Sequence, residues 1–189
     1  LGLGGNSNDA GERVEFNDHD AFNLGGQFTI EFWIDLKDGY TEGQHHLIGQ
    51  SAGADSNPKW FIVSYYGVLK FHYDQQGASG NESNWLYLLE DGGESELTGG
   101  WAHFALVRDG DQWRTYVNGD LKKTNTDGIP SLEVGAPLKI GQVEGTDMTL
   151  SADLDEIRIS SVARYPEAGS ESFVPAATHV SDEDTQLLL

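Results

Sequence analysis

From Phe28 to Leu36 apolar and polar positions alternate, with Phe28, Ile30, Phe32, Ile34 and Leu36 on one face and Thr29, Glu31, Trp33 and Asp35 on the other. Successive side chains of a strand point to opposite faces, so this period of two predicts a strand buried along one side. Trp33 on the second side predicts that this face is partly covered too. Trp101–Arg108 and Trp113–Val117 read as two more strands. They are joined through Asp109-Gly110-Asp111, where Asp-Gly supplies the positive φ of a tight hairpin turn. Asn118-Gly119 turns the chain again into Asp120–Lys123. Further strand candidates are Leu1–Leu3, Arg13–Phe16, His46–Gln50, Trp60–Tyr65, Val68–Tyr73, Trp85–Leu89, Leu138–Gly141, Leu154–Ser160 and Thr185–Leu189. Many short strands between turn signals predict an all-β fold, a two-sheet antiparallel β-sandwich or jelly roll. Gly77–Asn84 and Glu90–Gly100 read as long surface loops, where binding residues tend to gather.

Composition narrows the function classes. Thirty-one acidic against eleven basic residues give a net charge of −20, which excludes a grip on nucleic-acid phosphates. Five Trp, seven Tyr and eight Phe supply the core that a disordered acidic tail would lack. There is no cysteine, hence no disulfide, thiolate metal cluster or cysteine nucleophile. No apolar run approaches a membrane span, so no membrane insertion is expected. A single domain over residues 1–189 is expected, and the start at Leu1 without an initiating Met suggests a piece excised from a larger multidomain protein.

Gln27–Ile34, Trp101–Gly110, Tyr116–Gly119, Leu138–Gly141 and Leu154–Ser160, in that order, resemble the concanavalin A-like, laminin G-like jelly rolls. The tail through Ala163-Arg164-Tyr165, Phe173-Val174-Pro175 and Asp182–Leu189 is similar to the closing segment of bacterial and phage members. The resemblance implies two packed antiparallel sheets, commonly with bound calcium, in secreted or surface proteins that bind glycans or other proteins. Gly141–Asp147 also resembles, in part, the pentraxin loop that supplies calcium ligands. Val143 and Gly145 interrupt its run of acids and amides, and Asp55-Ser56-Asn57 lies where pentraxins place another Asp and Asn. On that resemblance Asp55, Asn57, Glu144 and Asp147 would converge at one rim and supply oxygen ligands to calcium, leaving positions for a sugar's vicinal hydroxyls. Asp155 would hold a structural cation with Asn6 or Asp9; paired charges on a strand face are the plainer reading of Asp155 and Glu156.

A glycoside hydrolase needs two carboxylates about 5 to 10 Å apart. Glu31 and Asp35 share a strand face, but four residues along a strand is about 13 Å. Glu94 and Glu96 alternate only within a Gly-rich stretch. The chain is therefore expected not to be an enzyme. His45-His46 would point to opposite faces of a strand and not share one ion, and His103 reads as a satisfied sheet residue. Ser181–Asp184 reads as a solvated run, and Asn81-Glu82-Ser83 fits a glycosylation acceptor by pattern alone.

The expectation is thus a calcium-dependent carbohydrate-binding domain, outside the cell or at its surface, with a glycan or cell-surface polysaccharide as ligand. A protein- or peptide-binding module and a structural spacer are the alternatives. Trp60, Tyr66, Tyr73, Trp85 and Tyr87 lie in sequence near Asp74, Asn81 and Asn84, a mixture of rings and planar polar groups that suits sugar. Trp60 or Trp85 would offer the sugar an apolar face, although Trp60 fits the core equally well.

Overall fold

The computed structural model describes residues 2–3, 13–37, 43–53, 58–74, 84–90, 92–145, 150–165 and 172–189. Its strands are β1 (Gly2–Leu3), β2 (Arg13–Phe16), β3 (Gln27–Leu36), β4 (Gln44–Ser51), β5 (Lys59–Tyr65), β6 (Val68–Asp74), β7 (Asn84–Tyr87), β8 (Ala102–Asp109), β9 (Gln112–Val117), β10 (Asp120–Thr126), β11 (Leu138–Gly141), β12 (Ala152–Ser160) and β13 (Thr185–Leu188). One sheet runs β1-β12-β3-β8-β9-β10, with β13 joining the same edge of β12 beyond a bulge; the other runs β2-β11-β4-β5-β6-β7. Every strand pair is antiparallel, and the two sheets form the expected sandwich.

The core lies where the two inner faces meet. Phe28, Ile30, Phe32, Ile34 and Leu36 of β3 are all buried, as the alternation requires, and they pack with Phe104, Leu106 and Trp113 against Trp60, Ile62, Phe71, Leu138 and Ile140. Both turns read as hairpins form: Gly110 stands at φ 63°, and Asn118 and Gly119 at φ 52° and 82°. Gly49 is needed for packing. A Cβ there would come closer than 3.0 Å to the Trp60 carbonyl oxygen and to Phe61.

One expectation is corrected. Glu90–Gly100 is not merely a surface loop: Gly93–Leu97 forms a short 3-10 helix with Leu97 and Glu94 buried, and the Glu94 carboxylate accepts the Leu69 N–H. Ser181–Glu183 are exposed, as a solvated run requires, and both Asp182 carboxylate oxygens bond the Arg164 guanidinium, at 2.5 and 2.7 Å. Most of Gly77–Asn84, including Asn81-Glu82-Ser83, falls outside the described residues.

The outer faces differ. On the seven-stranded sheet the chain beyond β12 returns across Thr29, Glu31, Trp33, His103, Ala105 and Tyr116. Phe173 N–H donates to Gly119 O (2.9 Å), Trp33 Nε1 donates to Ala176 O (3.1 Å), and the Tyr165 and Phe173 rings stack at 3.7 Å. Trp33 predicted that cover. Among the described residues, the cover on the other outer face is the short stretch 142–145, laid on Phe61 and Val63 of β5.

Candidate functional site

Cross-strand pairs identify what stands on that second outer face. Lys59 is opposite Asp74; Phe61 is opposite His72, which is opposite Trp85; Val63 is opposite Lys70, which is opposite Tyr87; and Tyr65 is opposite Val68. Residues paired across antiparallel strands share a face, so these rows form one surface. β4 adds His46 and Ser51, and β11 adds Lys139.

At one end of this face lies an aromatic group. Trp85 rests on Phe61 and His72 and approaches Tyr65, with ring centroids 5.7 Å apart for the last pair. Tyr65 meets Tyr66 edge-on at 4.9 Å. The Lys70 ammonium sits 4.6, 5.2 and 4.8 Å from the ring centroids of Tyr65, Trp85 and Tyr87. Such distances lie within the range where a cation is attracted to a ring face. Tyr66 is 62% exposed and Tyr87 49%. Tyr66 forms the β5–β6 turn with Gly67, both at positive φ (49° and 76°), a conformation costing a bulky L-residue about 1–2 kcal/mol. The sheet thus holds an aromatic ring out to solvent at a position that favours Asn or Gly.

At the other end a polar cluster forms. Residues 142–145 fold back over the sheet instead of staying at its rim. Val143 packs on Phe61 and Val63, and its carbonyl accepts the Lys139 ammonium at 3.3 Å. The Glu144 N–H donates to His46 Nδ1 (3.1 Å), and its carboxylate accepts the Ser51 hydroxyl. The Lys59 ammonium lies 3.4 Å from that carboxylate and 3.6 Å from Asp74, whose oxygen is 3.2 Å from His72 Nε2. Burial pushes the His46 imidazole down to about 3, helped by the charges of His72, His45 and Lys59. Burial also lowers His72, against the opposing pull of Asp74.

The expected site residues fare unequally. The end of β4 and the Glu144 loop do meet, through Ser51, but Asp55, Asn57 and Asp147 lie outside the described residues, as do Asn6 and Asp9. Glu144 fits calcium poorly. Its carboxylate is nearly enclosed, and the protein's own Lys59 ammonium stands between it and Asp74, where a cation would bind. Trp60 is a correction: it is fully buried, with Nε1 donating to Gln50 Oε1 (3.0 Å), and has no face to offer a sugar. Tyr73 likewise turns inward onto the core. Trp85 does stand on the outer face. Asp155 is exposed, and its Oδ1 accepts the Glu156 N–H. β1 pairs Gly2 with Asp153 and Leu3 with Ala152, so that strand runs away from Asp155.

One buried cluster escaped the sequence reading. Glu31 Oε1 accepts Arg158 Nε (2.7 Å) and Nη2 (2.6 Å), while Oε2 accepts the Tyr165 hydroxyl and His103 Nε2 (3.2 Å). Burial opposes the Glu31 charge, but these donors outweigh it and hold the carboxyl below its usual range. His179 Nε2 lies 3.7 Å away, so that Glu31, His103 and His179 bring three potential metal-ligand atoms within 4.8 Å of one another. A carboxylate has about four acceptor sites, and these donors occupy them, so the cluster reads as a clamp for the returning chain and not as a metal centre.

A laminin G-type family model, described as the concanavalin A-like lectin/glucanases superfamily, matches residues 8–168. Among solved structures, the botulinum neurotoxin serotype G binding domain superposes with a TM-score of 0.61 at 13% identity, covering 84% of this chain and 39% of that one. A heptameric SAP-like pentraxin from Limulus polyphemus gives 0.56 at 16% identity, covering 87% and 76%. A proposed carbohydrate binding protein from Bacteroides ovatus gives 0.52 at 19%, covering 87% and 45%. At such identities the likeness is one of fold, and the chain spans well under half of the toxin binding domain. No curated protein matches the chain.

Proposed function

Because the chain belongs to the concanavalin A-like lectin/glucanases superfamily, we propose that it is a non-catalytic carbohydrate-binding module of a secreted or cell-surface protein, holding glycan on the outer face of β5, β6 and β7. The observation that carries this reading is the aromatic group Tyr65, Tyr66, Trp85 and Tyr87, with Tyr66 kept exposed in a turn that disfavours it. A pyranose has an apolar C–H face that stacks on such rings.

Asp74 and Glu144 are two carboxylates of the polar cluster, and through Lys59 their oxygens lie at most about 7 Å apart, within the span glycosidases use. The Lys59 ammonium fills the space between them that a scissile bond and its water would need. That argues for binding and against hydrolysis. Calcium dependence is a separate part of the proposal. With Glu144 committed to Lys59 and Ser51, it rests on Asp55, Asn57 and Asp147, and no binding step is routed through the ion.

The test is a glycan array probed with the folded chain in millimolar calcium and in chelator, repeated with Trp85→Ala. Glycan binding lost in that variant at near-native thermal stability supports the site. Binding that survives Trp85→Ala unchanged places the ligand elsewhere, and reducing ends released from a bound glycan would overturn the non-catalytic reading.

A further inference from the structure

The chain carries almost three acidic residues for each basic one, and most of its described basic side chains pair with a carboxylate, Lys59, Lys122, Lys123 and Arg158 among them. Lys70 does not. Among the described residues no carboxylate lies within ion-pair distance of its ammonium, which instead sits against the rings of Tyr65, Trp85 and Tyr87. Rings attract a cation through their faces but offer no hydrogen-bond acceptor, so they leave the three ammonium N–H donors to water or a ligand. On a surface this acidic, a cation without an acid is a local reversal of charge. It occurs at the centre of the aromatic group where a sugar would stack.

Resting on the carbohydrate reading above, we propose that Lys70 makes this face selective for acidic glycans: pyranose units carrying a carboxylate or a sulfate. The ring of such a unit would lie on Trp85 or Tyr87 while its anionic group accepts hydrogen bonds from the Lys70 ammonium. A charge-assisted contact partly shielded from water by three rings is stronger than one made in open solvent. The surrounding negative field would repel a polyanion elsewhere on the domain, so that attraction is confined to this spot.

The test is an array of matched pairs, uronates beside their methyl esters and sulfated or sialylated glycans beside their neutral parents, followed by titration of the best pair. The wild-type chain is expected to favour the anionic member by about tenfold or more, the range for a hydrogen bond to a charged group. Lys70→Met keeps the apolar stem against the rings and should equalise the two members, while Lys70→Arg should restore the preference. Which anionic class leads separates carboxylate from sulfate. Equal or better binding of the neutral members by the wild type, or a preference that survives Lys70→Met, overturns the inference while leaving carbohydrate binding intact. No binding to any member refutes the carbohydrate reading, and this inference with it.

Discussion

His46 makes the acid response of the polar cluster calculable. Its ring is fully buried, lies tilted against Phe61 at 4.4 Å between centroids, and uses Nδ1 to accept the Glu144 N–H. That bond requires an unprotonated Nδ1. Protonation would set two N–H donors against each other in an enclosed place beside the Lys59 charge, and burial accordingly holds this imidazole down to about 3. In the unfolded chain a histidine takes up its proton near pH 6.5. Acid therefore favours the unfolded state: the stabilising contribution is complete above about pH 6.5 and drains away as pH falls toward about 3. Each pH unit in that window is worth about 1.4 kcal/mol, so at about pH 5 the loss from this one residue is about 2 kcal/mol relative to about pH 8.

Urea denaturation of the wild type and His46→Gln at those two pH values isolates the effect. The amide cannot titrate, yet its oxygen can still accept the Glu144 N–H. A group remote from His46, such as His179, whose value burial also lowers, contributes alike to both proteins and cancels in the difference. Whatever His46→Gln costs at the higher pH, the gap to wild type should narrow by about 2 kcal/mol at the lower one. A gap that is the same at both would refute the assignment of His46 as a buried neutral acceptor.

Two further outcomes follow from the same contacts. Glu31→Gln removes the charge facing Arg158 while keeping its shape, and breaking a buried pair from one side costs about 3–5 kcal/mol; a loss below 1 kcal/mol in chemical denaturation would mean the clamp does not hold the returning chain. Tyr66→Asn relieves the strained turn and should raise stability by about 1 kcal/mol while weakening glycan affinity, so a variant that is stabilised but binds unchanged would remove Tyr66 from the site.

The fold was legible because its signals are local. The strict alternation of β3 and the Asp-Gly and Asn-Gly turns each specify their structure within a few residues, and strands joined by tight turns must be antiparallel neighbours. The Glu31 clamp was not legible in the same way. Its members Glu31, His103, Arg158, Tyr165 and His179 stand on separate strands and on the returning chain, and only the completed sheet makes 72 residues of separation between Glu31 and His103 into 3.2 Å. The sequence hint was Trp33: a large apolar residue on the polar side of β3 needs cover, and a covered face can hold a buried charge only if partners come with the cover.

The candidate site fell between these cases. Trp60 and Trp85 look alike as isolated aromatics, but the alternation that places Ile62 inward places Trp60 inward too, and the pairing of β6 with β7 sends Trp85 outward with His72. The same rule puts Lys59, Phe61 and Val63 of β5 on the outer face, with Asp74, His72 and Lys70 of β6 beside them on that same face. Period alone therefore places Lys70 and Lys59 beside the acids of this face. Carboxylates close together repel, and the repulsion must be met by a cation, but nothing requires the cation to be an ion from solution. At Glu144 and Asp74 the chain supplies its own in Lys59, two residues beyond Asn57.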